Sequence, residues 1–325
     1  MKKINIEISI IVTTFNREKN IFQIINSLYK QNNINSSFEI IICDSNSKNK
    51  IKLINLQNLF TNLSIVYLNC KINHQAFKRN YGASKARGKY IIFIDDDCFP
   101  DVNFLYNHLK ILRLNKKKII YCGLVKYFIY KEVYNLIKYR ESRLIKFNSK
   151  NKNNIPVKNF ISMNMALNKD FFFQSKKKLF DNRFKYYGFE DFELAYRHRI
   201  TSRYLLTKGL VYHKDKRNFV QFLDKYFYLG FVGITDIIRI NLAAAKHSIF
   251  FNIENNFFIR ILLRIPFIWK ILNIAQQIIV FLEKYMTFYL PIIYKIGIFT
   301  SYLRGVVKRK ENNSLYSTGI TTWYK

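Results

Sequence analysis

Short apolar runs and amphipathic stretches take turns through the first hundred residues. Ile8–Val12, Glu39–Cys43, Ser64–Leu68 and Tyr90–Ile94 are mostly apolar and rich in β-branched residues, the pattern of buried strands. Between the first two, Glu18–Tyr29 sets Ile21, Ile24, Ile25 and Leu28 at helical spacing, giving one apolar face. A second helix is predicted around Ile51–Phe60, and a third over Gln75–Arg87, closed by Gly88. Strands alternating with helices imply parallel strands joined by helical crossovers, an α/β domain with a mostly parallel sheet flanked by helices. Ligands in such sheets bind beyond the carboxyl ends of the strands. That rule points to Thr13, Thr14, Phe15 and Asn16, to Asp44, to the connection from Asn73 to Arg79, and to Asp95, Asp96 and Asp97.

Beyond this half the pattern loosens. Residues 114–160 are rich in Lys and Asn, and Lys150–Asn154 is the best candidate for a mobile loop. Phe184–Arg199 reads as a turn feeding a helix, and Asn218–Lys246 as one long helix. Phe257–Val307 is strongly apolar but interrupted by Arg260, Arg264, Lys270, Glu283, Lys284, Lys295 and Arg304. Its longest uncharged run, Ile271–Leu282, has 12 residues, short of the roughly 18–20 that span a bilayer. With Lys308, Arg309 and Lys310 closing the region, the mixture fits helices lying in a membrane interface. A helical bundle against the main domain or a second subunit, or a span with snorkelling ends, are the competing readings. The expected organisation is therefore a domain over residues 1–215, a helical extension over 216–256, and a basic apolar region over 257–325.

Charge enters next. Lys and Arg number 54 against 21 Asp and Glu, a formal net charge of +33. The excess suits a polyanionic partner, or reflects the Ile, Asn, Lys, Phe and Tyr bias of an A+T-rich genome. The acidic clusters argue against nucleic acid, because carboxylates repel phosphates unless a metal intervenes. Cys43, Cys70, Cys98 and Cys122 are widely separated without CxxC spacing. The opening MKKINIEISIIVTTFN is too short and too alternating for a signal peptide, so the thiols are expected to be reduced and cytoplasmic. No GxxxxGK[ST] or GxGxxG occurs, which removes the P-loop and dinucleotide readings.

Three consecutive aspartates at the end of an apolar strand repel one another unless something positive sits on them. A divalent cation such as Mg²⁺ or Mn²⁺ is held by one or two carboxylates plus substrate phosphates. Continued strand geometry turns Asp95 and Asp97 to one side and Asp96 to the other. The plain alternative is a solvated Asx turn ahead of Pro100. Glu190 and Asp191 open a helix, where acids are favoured by the dipole; a general base is the functional alternative. The plain alternatives are a helix N-cap for Asp44, a solvated helical charge for Arg79, and a structural histidine for His213.

Four of these segments, in order, resemble the family 2 glycosyltransferases, an inverting group with the GT-A (Rossmann-like) fold. Ser9–Glu18 (SIIVTTFNRE) is similar to the family's opening strand and polar turn, and Asp44 in IICDSNS to the acid after its second strand. Arg79 and Asn80 lie in the basic segment before the metal motif IDDDC. SMNMAL followed by YYGFEDFELAYR resembles the acceptor half of bacterial polysaccharide polymerases and galactosyltransferases. The resemblance spans roughly residues 5–215. It implies a uridine base held by Thr13, Phe15, Asn16 and Asp44, with Arg79 on base or diphosphate. Asp95 and Asp96 would share ribose and metal, and Asp97, Asp95 and His213 would hold Mn²⁺ or Mg²⁺. Asn164 would touch donor or acceptor, Glu190 the acceptor, and Asp191 would take the acceptor's proton. The expected activity is transfer of a hexosyl or N-acetylhexosaminyl group from a UDP-sugar to a glycan or lipid-linked hydroxyl. The expected setting is surface polysaccharide or capsule assembly on the cytoplasmic face of the inner membrane. A nucleotidyltransferase and a non-enzymatic membrane- or nucleic-acid-binding module are the alternatives, and oligomeric state stays open.

Overall fold

The computed structural model describes residues 6–32, 36–45, 53–114, 119–144, 155–170, 179–186, 188–199 and 203–311. The expected loop at Lys150–Asn154 lies outside them, as does the end of the C-terminal region beyond residue 311. The chain divides into two compact units.

The first unit comprises residues 1–129, 140–185 and 190–215. Its strands are β1 (Ile8–Thr14), β2 (Phe38–Asp44), β3 (Ser64–Asn69), β4 (Tyr90–Asp95), β5 (Cys98–Pro100), β6 (Ile119–Tyr127), β7 (Asn164–Asn168) and β8 (Arg203–His213). Helices α1 (Glu18–Tyr29), α2 (Leu53–Leu59), α3 (Gln75–Lys85), α4 (Phe104–Leu114), α5 (Tyr134–Ser142) and α6 (Glu190–His198) accompany them, α5 running across the division. One eight-stranded sheet has the order β3-β2-β1-β4-β7-β6-β8-β5. β1 to β4 are parallel, as the strand–helix alternation predicts, whereas β7 runs antiparallel to both β4 and β6, and β5 to β8. The sheet is thus mixed. No crossover helix follows β4; the chain turns at Asp96 and Asp97 straight into β5.

Register positions the strand ends. Thr13 lies opposite Asp95, and Thr14 opposite Asp44, so β1, β2 and β4 finish side by side at one edge. Two apolar clusters hold the sheet from either face, because successive side chains of a strand point opposite ways. Ile8, Ile10 and Val12 meet Ile21, Ile24, Ile25 and Leu28 of α1 and Phe104, Leu105, Leu109 and Leu112 of α4. Ile11, Ile41 and Phe93 meet Ala76 and Ala83 of α3 and Leu194 and Ala195 of α6. Gly88 does not close α3, which ends at Lys85. It passes against β1 so closely that a Cβ would stand 2.5 Å from the Ser9 nitrogen.

The second unit comprises residues 130–139, 186–189 and 216–325. It is helical: α7 (Phe219–Tyr228), α8 (Ile234–Ile240), α9 (Leu242–Lys246), α10 (Ile249–Asn255), α11 (Phe257–Leu262), α12 (Ile268–Tyr285) and α13 (Pro291–Glu311). The single helix expected over Asn218–Lys246 is interrupted twice. A π turn occupies Leu229–Gly233, and Asn241 leaves helical geometry to cap α9 with its side chain. Phe219, Phe222 and Tyr226 share one apolar cluster with Leu263, Leu272, Ile279, Tyr302 and Val306. The expected division at residue 256 is therefore not a structural boundary. No helix among the described residues is long and apolar enough to cross a membrane.

Candidate active site

The polar turn after β1 begins the site. Thr13 is buried, and its hydroxyl has no partner among the described residues. Thr14 Oγ1 donates to Asp96 Oδ2 at 2.9 Å. Phe15 is half-buried, and Asn16 takes a left-handed conformation (φ 54°) that turns the chain into α1. Asp44, ending β2, is buried and accepts a 2.6 Å hydrogen bond from the Tyr67 hydroxyl.

The three aspartates part company because β4 stops at Asp95. Asp95 pairs with Arg79 Nη2 at 2.7 Å. Asp96 and Asp97, in the turn, both accept from Arg17 Nη1, at 2.8 and 2.9 Å. The expected alternation, with Asp95 and Asp97 on one side, is corrected: strand geometry does not persist through the motif. Burial pushes the Asp96 carboxyl up to about 6, with Asp97 adding to the effect and Arg17 opposing it. Asp97 lies well below the ordinary carboxylate range: burial works against this, but the hydrogen bond and charge of His213, then Arg17, outweigh it. Antiparallel pairing of β5 with β8 sets Cys98 opposite His213 and brings His213 Nε2 within 3.2 Å of Asp97 Oδ1.

A metal's fit can be judged from these atoms. Among the described residues, Asp97, Cys98 and His213 offer ligand atoms within 4.8 Å of one another, and Asp95 is not in the group. His213 is buried, and its Nδ1 has no partner among the described residues. Burial and the neighbouring aspartates push the Cys98 thiol well up. The Asp97 carboxylate and the His213 imidazole are donors that suit Mn²⁺ or Mg²⁺.

Arg79 lies among acids. Its side chain is 3% exposed, with Nη1 at 3.3 Å from Asp191 and 3.8 Å from Glu190, and it stacks 5.1 Å over Phe180. Enclosed by three carboxylates, the guanidinium braces the end of β4 against the start of α6. Asp191, at the start of α6, also accepts from the Ser162 backbone N–H at 3.1 Å and from the Ser162 hydroxyl. Burial and then Glu190 push its carboxyl above the ordinary range, against Arg79 and Ser162. Of the acidic pair, Glu190 is 8% exposed and Asp191 30%. Asp191 is the more open of the two.

Asn164 is also corrected. It is fully buried, donating to the carbonyls of Leu124 and Gly209 at 2.9 Å and lying 3.0 Å from His108 Nε2, so it joins strands inside the sheet. Three residues of the site escaped the sequence reading: Arg17, Ser162 and Lys78. Lys78 is buried and donates to the Thr14 carbonyl at 3.1 Å and to Asn73 at 2.9 Å, tying α3 to the turn after β1. Arg17 had one signal, a basic residue directly behind the polar turn; Ser162 had another, as the first residue of the SMNMAL stretch.

Residues 9–173 match the family model described as Glycosyl transferase family 2. A glucuronosyltransferase of Methanococcus voltae, named for a dolichyl N-acetylglucosaminyl phosphate acceptor, is 32% identical over 115 residues, 34% of this chain and 35% of its own. The poly(ribitol-phosphate) β-N-acetylglucosaminyltransferase TarS of Staphylococcus aureus is 29% identical over 92 residues, 28% of this chain and 16% of its own. The matched stretches thus span about a third of one relative and a sixth of the other. The crystal structure of S. aureus TarS residues 1–349 superposes with a TM-score of 0.53 at 14% identity, covering 96% of this chain and 93% of that one. The same region crystallised with UDP-GlcNAc gives 0.53 over 95% and 92%.

Proposed function

The chain belongs to glycosyl transferase family 2, and from that premise we propose that it moves a sugar from a UDP-sugar to a hydroxyl of a glycan or lipid-linked acceptor, with inversion at the anomeric carbon. The GT-A fold and glycosyltransferase class come with the family. The observation that carries the finer reading is the junction at Arg79, which joins the end of the donor-side strand β4 to the half-buried carboxylate of Asp191.

Thr13, Phe15 and Asp44 line the edge expected to hold uracil, Phe15 by ring contact and Asp44 by hydrogen bonding to the imide. Asp96 stands ready for the ribose hydroxyls. Asp97 and His213 would hold a divalent cation, which supplies positive charge to the departing diphosphate. Asp191, oriented by Ser162 and Arg79, accepts the acceptor's proton as its oxygen attacks, so no enzyme nucleophile is needed. A carboxyl held above its ordinary range is a stronger base for that step than a solvated one.

The crystal structure of TarS with UDP-GlcNAc supports a uridine donor, and the relatives named for a dolichyl sugar phosphate and for poly(ribitol-phosphate) support a surface-polymer or lipid-linked acceptor. Surface polysaccharide assembly, with Mn²⁺ or Mg²⁺, is the setting we favour. The four cysteines are free and buried, which supports work in a reducing compartment, on the cytoplasmic side of the inner membrane. A panel of UDP-hexoses and UDP-N-acetylhexosamines, assayed for UDP release with Mn²⁺ and candidate acceptors, tests the reading. UDP release with one donor and not the others supports it; no turnover and no thermal shift with UDP plus Mn²⁺ overturns it.

A further inference from the structure

The C-terminal helices carry more apolar surface than their own core uses. In α12 the buried face is Ile268, Leu272, Gln276 and Ile279. A second line, Ile271, Ile274, Ile278, Phe281 and Tyr285, advances by alternating steps of three and four residues, so it too lies along one helix face. Every member is more than half exposed. The line runs from Ile271 to Tyr285 of this helix, so it is about 21 Å long at 1.5 Å per residue. Phe257, Phe258, Phe267 and Phe288 nearby in the chain are 62–76% exposed. Scattered exposed apolar residues need no explanation, but a continuous line marks an interaction surface.

Charge selects the occupant. Lys270, Gln277 and Lys284, seven residues apart and exposed, form a polar line along one edge of the apolar face. The helix's one acid, Glu283, is turned away to accept from the Tyr294 hydroxyl at 3.0 Å. Residues 257–311 hold nine Lys and Arg against two Glu. A second copy docking through this face would bring two lysine-edged surfaces together with no outward acid on α12 to answer them. Hydrocarbon bordered by anionic headgroups answers both the apolar line and its basic edge.

We propose that this face of α12 docks on an anionic lipid bilayer, the helix lying in the plane of the headgroups without crossing. The enzyme would then meet its acceptor at a membrane surface. Vesicle binding is read without turnover, so its failure leaves the transfer reading untouched.

The test is flotation of the full chain with vesicles of phosphatidylcholine alone or mixed with phosphatidylglycerol. The chain should float with the mixed vesicles and far less with the neutral ones. The Ile278→Glu/Phe281→Glu double variant should abolish flotation at an unchanged melting temperature, since both positions face solvent. The milder Lys270→Gln/Lys284→Gln variant should weaken binding to the mixed vesicles by roughly thirtyfold. No flotation at either composition overturns the proposal. So does a concentration-dependent dimer in sedimentation velocity that the Ile278→Glu/Phe281→Glu variant dissolves while the native chain ignores vesicles.

Discussion

Asp95 and Asp191, far apart in the chain, meet on one guanidinium: Arg79 holds the first at 2.7 Å and the second at 3.3 Å. Donor edge and proposed base are thereby fixed relative to each other by a single buried cation. Breaking a buried ion pair by removing one partner costs about 3–5 kcal/mol. Arg79→Met should therefore cost several kcal/mol of stability, seen as a lower urea midpoint, and reduce kcat at the same time. An unchanged urea midpoint would show that the carboxylates do not rely on it.

Asp191→Asn keeps the hydrogen-bonding shape and removes the base. Transfer should fall by about 10²–10⁴-fold, with UDP affinity by calorimetry unchanged. Because burial and Glu190 raise the Asp191 carboxyl, the acid limb of the native pH–rate profile should lie above the ordinary carboxylate range. That limb should vanish in the variant's residual rate.

His213 stands 3.2 Å from Asp97 and contributes the imidazole of the proposed metal set. His213→Ala should weaken Mn²⁺ binding at least tenfold, read from the free-ion electron paramagnetic resonance signal in the presence of UDP. Equal Mn²⁺ affinity in variant and native protein would remove His213 from the set.

His108 predicts a pH dependence of stability away from the site. It is fully buried, and burial drops its pKa from 6.5 to about 4, with Asn164 opposing. Between those values the unfolded chain binds the proton and the folded chain does not, so stability falls as pH drops from 6.5 toward 4. The loss is about 3 kcal/mol once both states are protonated. His108→Gln should flatten that part of the stability–pH curve measured by urea titration.

In the helical unit, Gly305 faces the π turn so closely that a Cβ would stand 2.0 Å from the Phe227 carbonyl oxygen. Backbone cannot yield as a side chain can, so Gly305→Ala should cost about 1–3 kcal/mol by overpacking. Thermal melting followed by circular dichroism measures it; no change in the melt would mean α13 shifts freely.

By itself the sequence determined the first four strands, the helix α1 and the edge at which Thr13, Asp44 and Asp95 gather. Those features are local: the period of apolar side chains sets the element, and parallel strands sharing a direction must end together. It also marked Asp97, His213 and Asp191, through motifs whose order matches the family. Tertiary structure alone decided what each charge answers to. Burial of Arg79 among three carboxylates, burial of Asn164 between strands, and the turn that sends Asp96 and Asp97 together to Arg17 all depend on contacts between distant segments. The mixed sheet was hidden for the same reason, because strand direction after β4 is set by pairing partners and not by side-chain period. Hydrophobic pattern reports which residues leave water; only the assembled chain decides which neighbour replaces it.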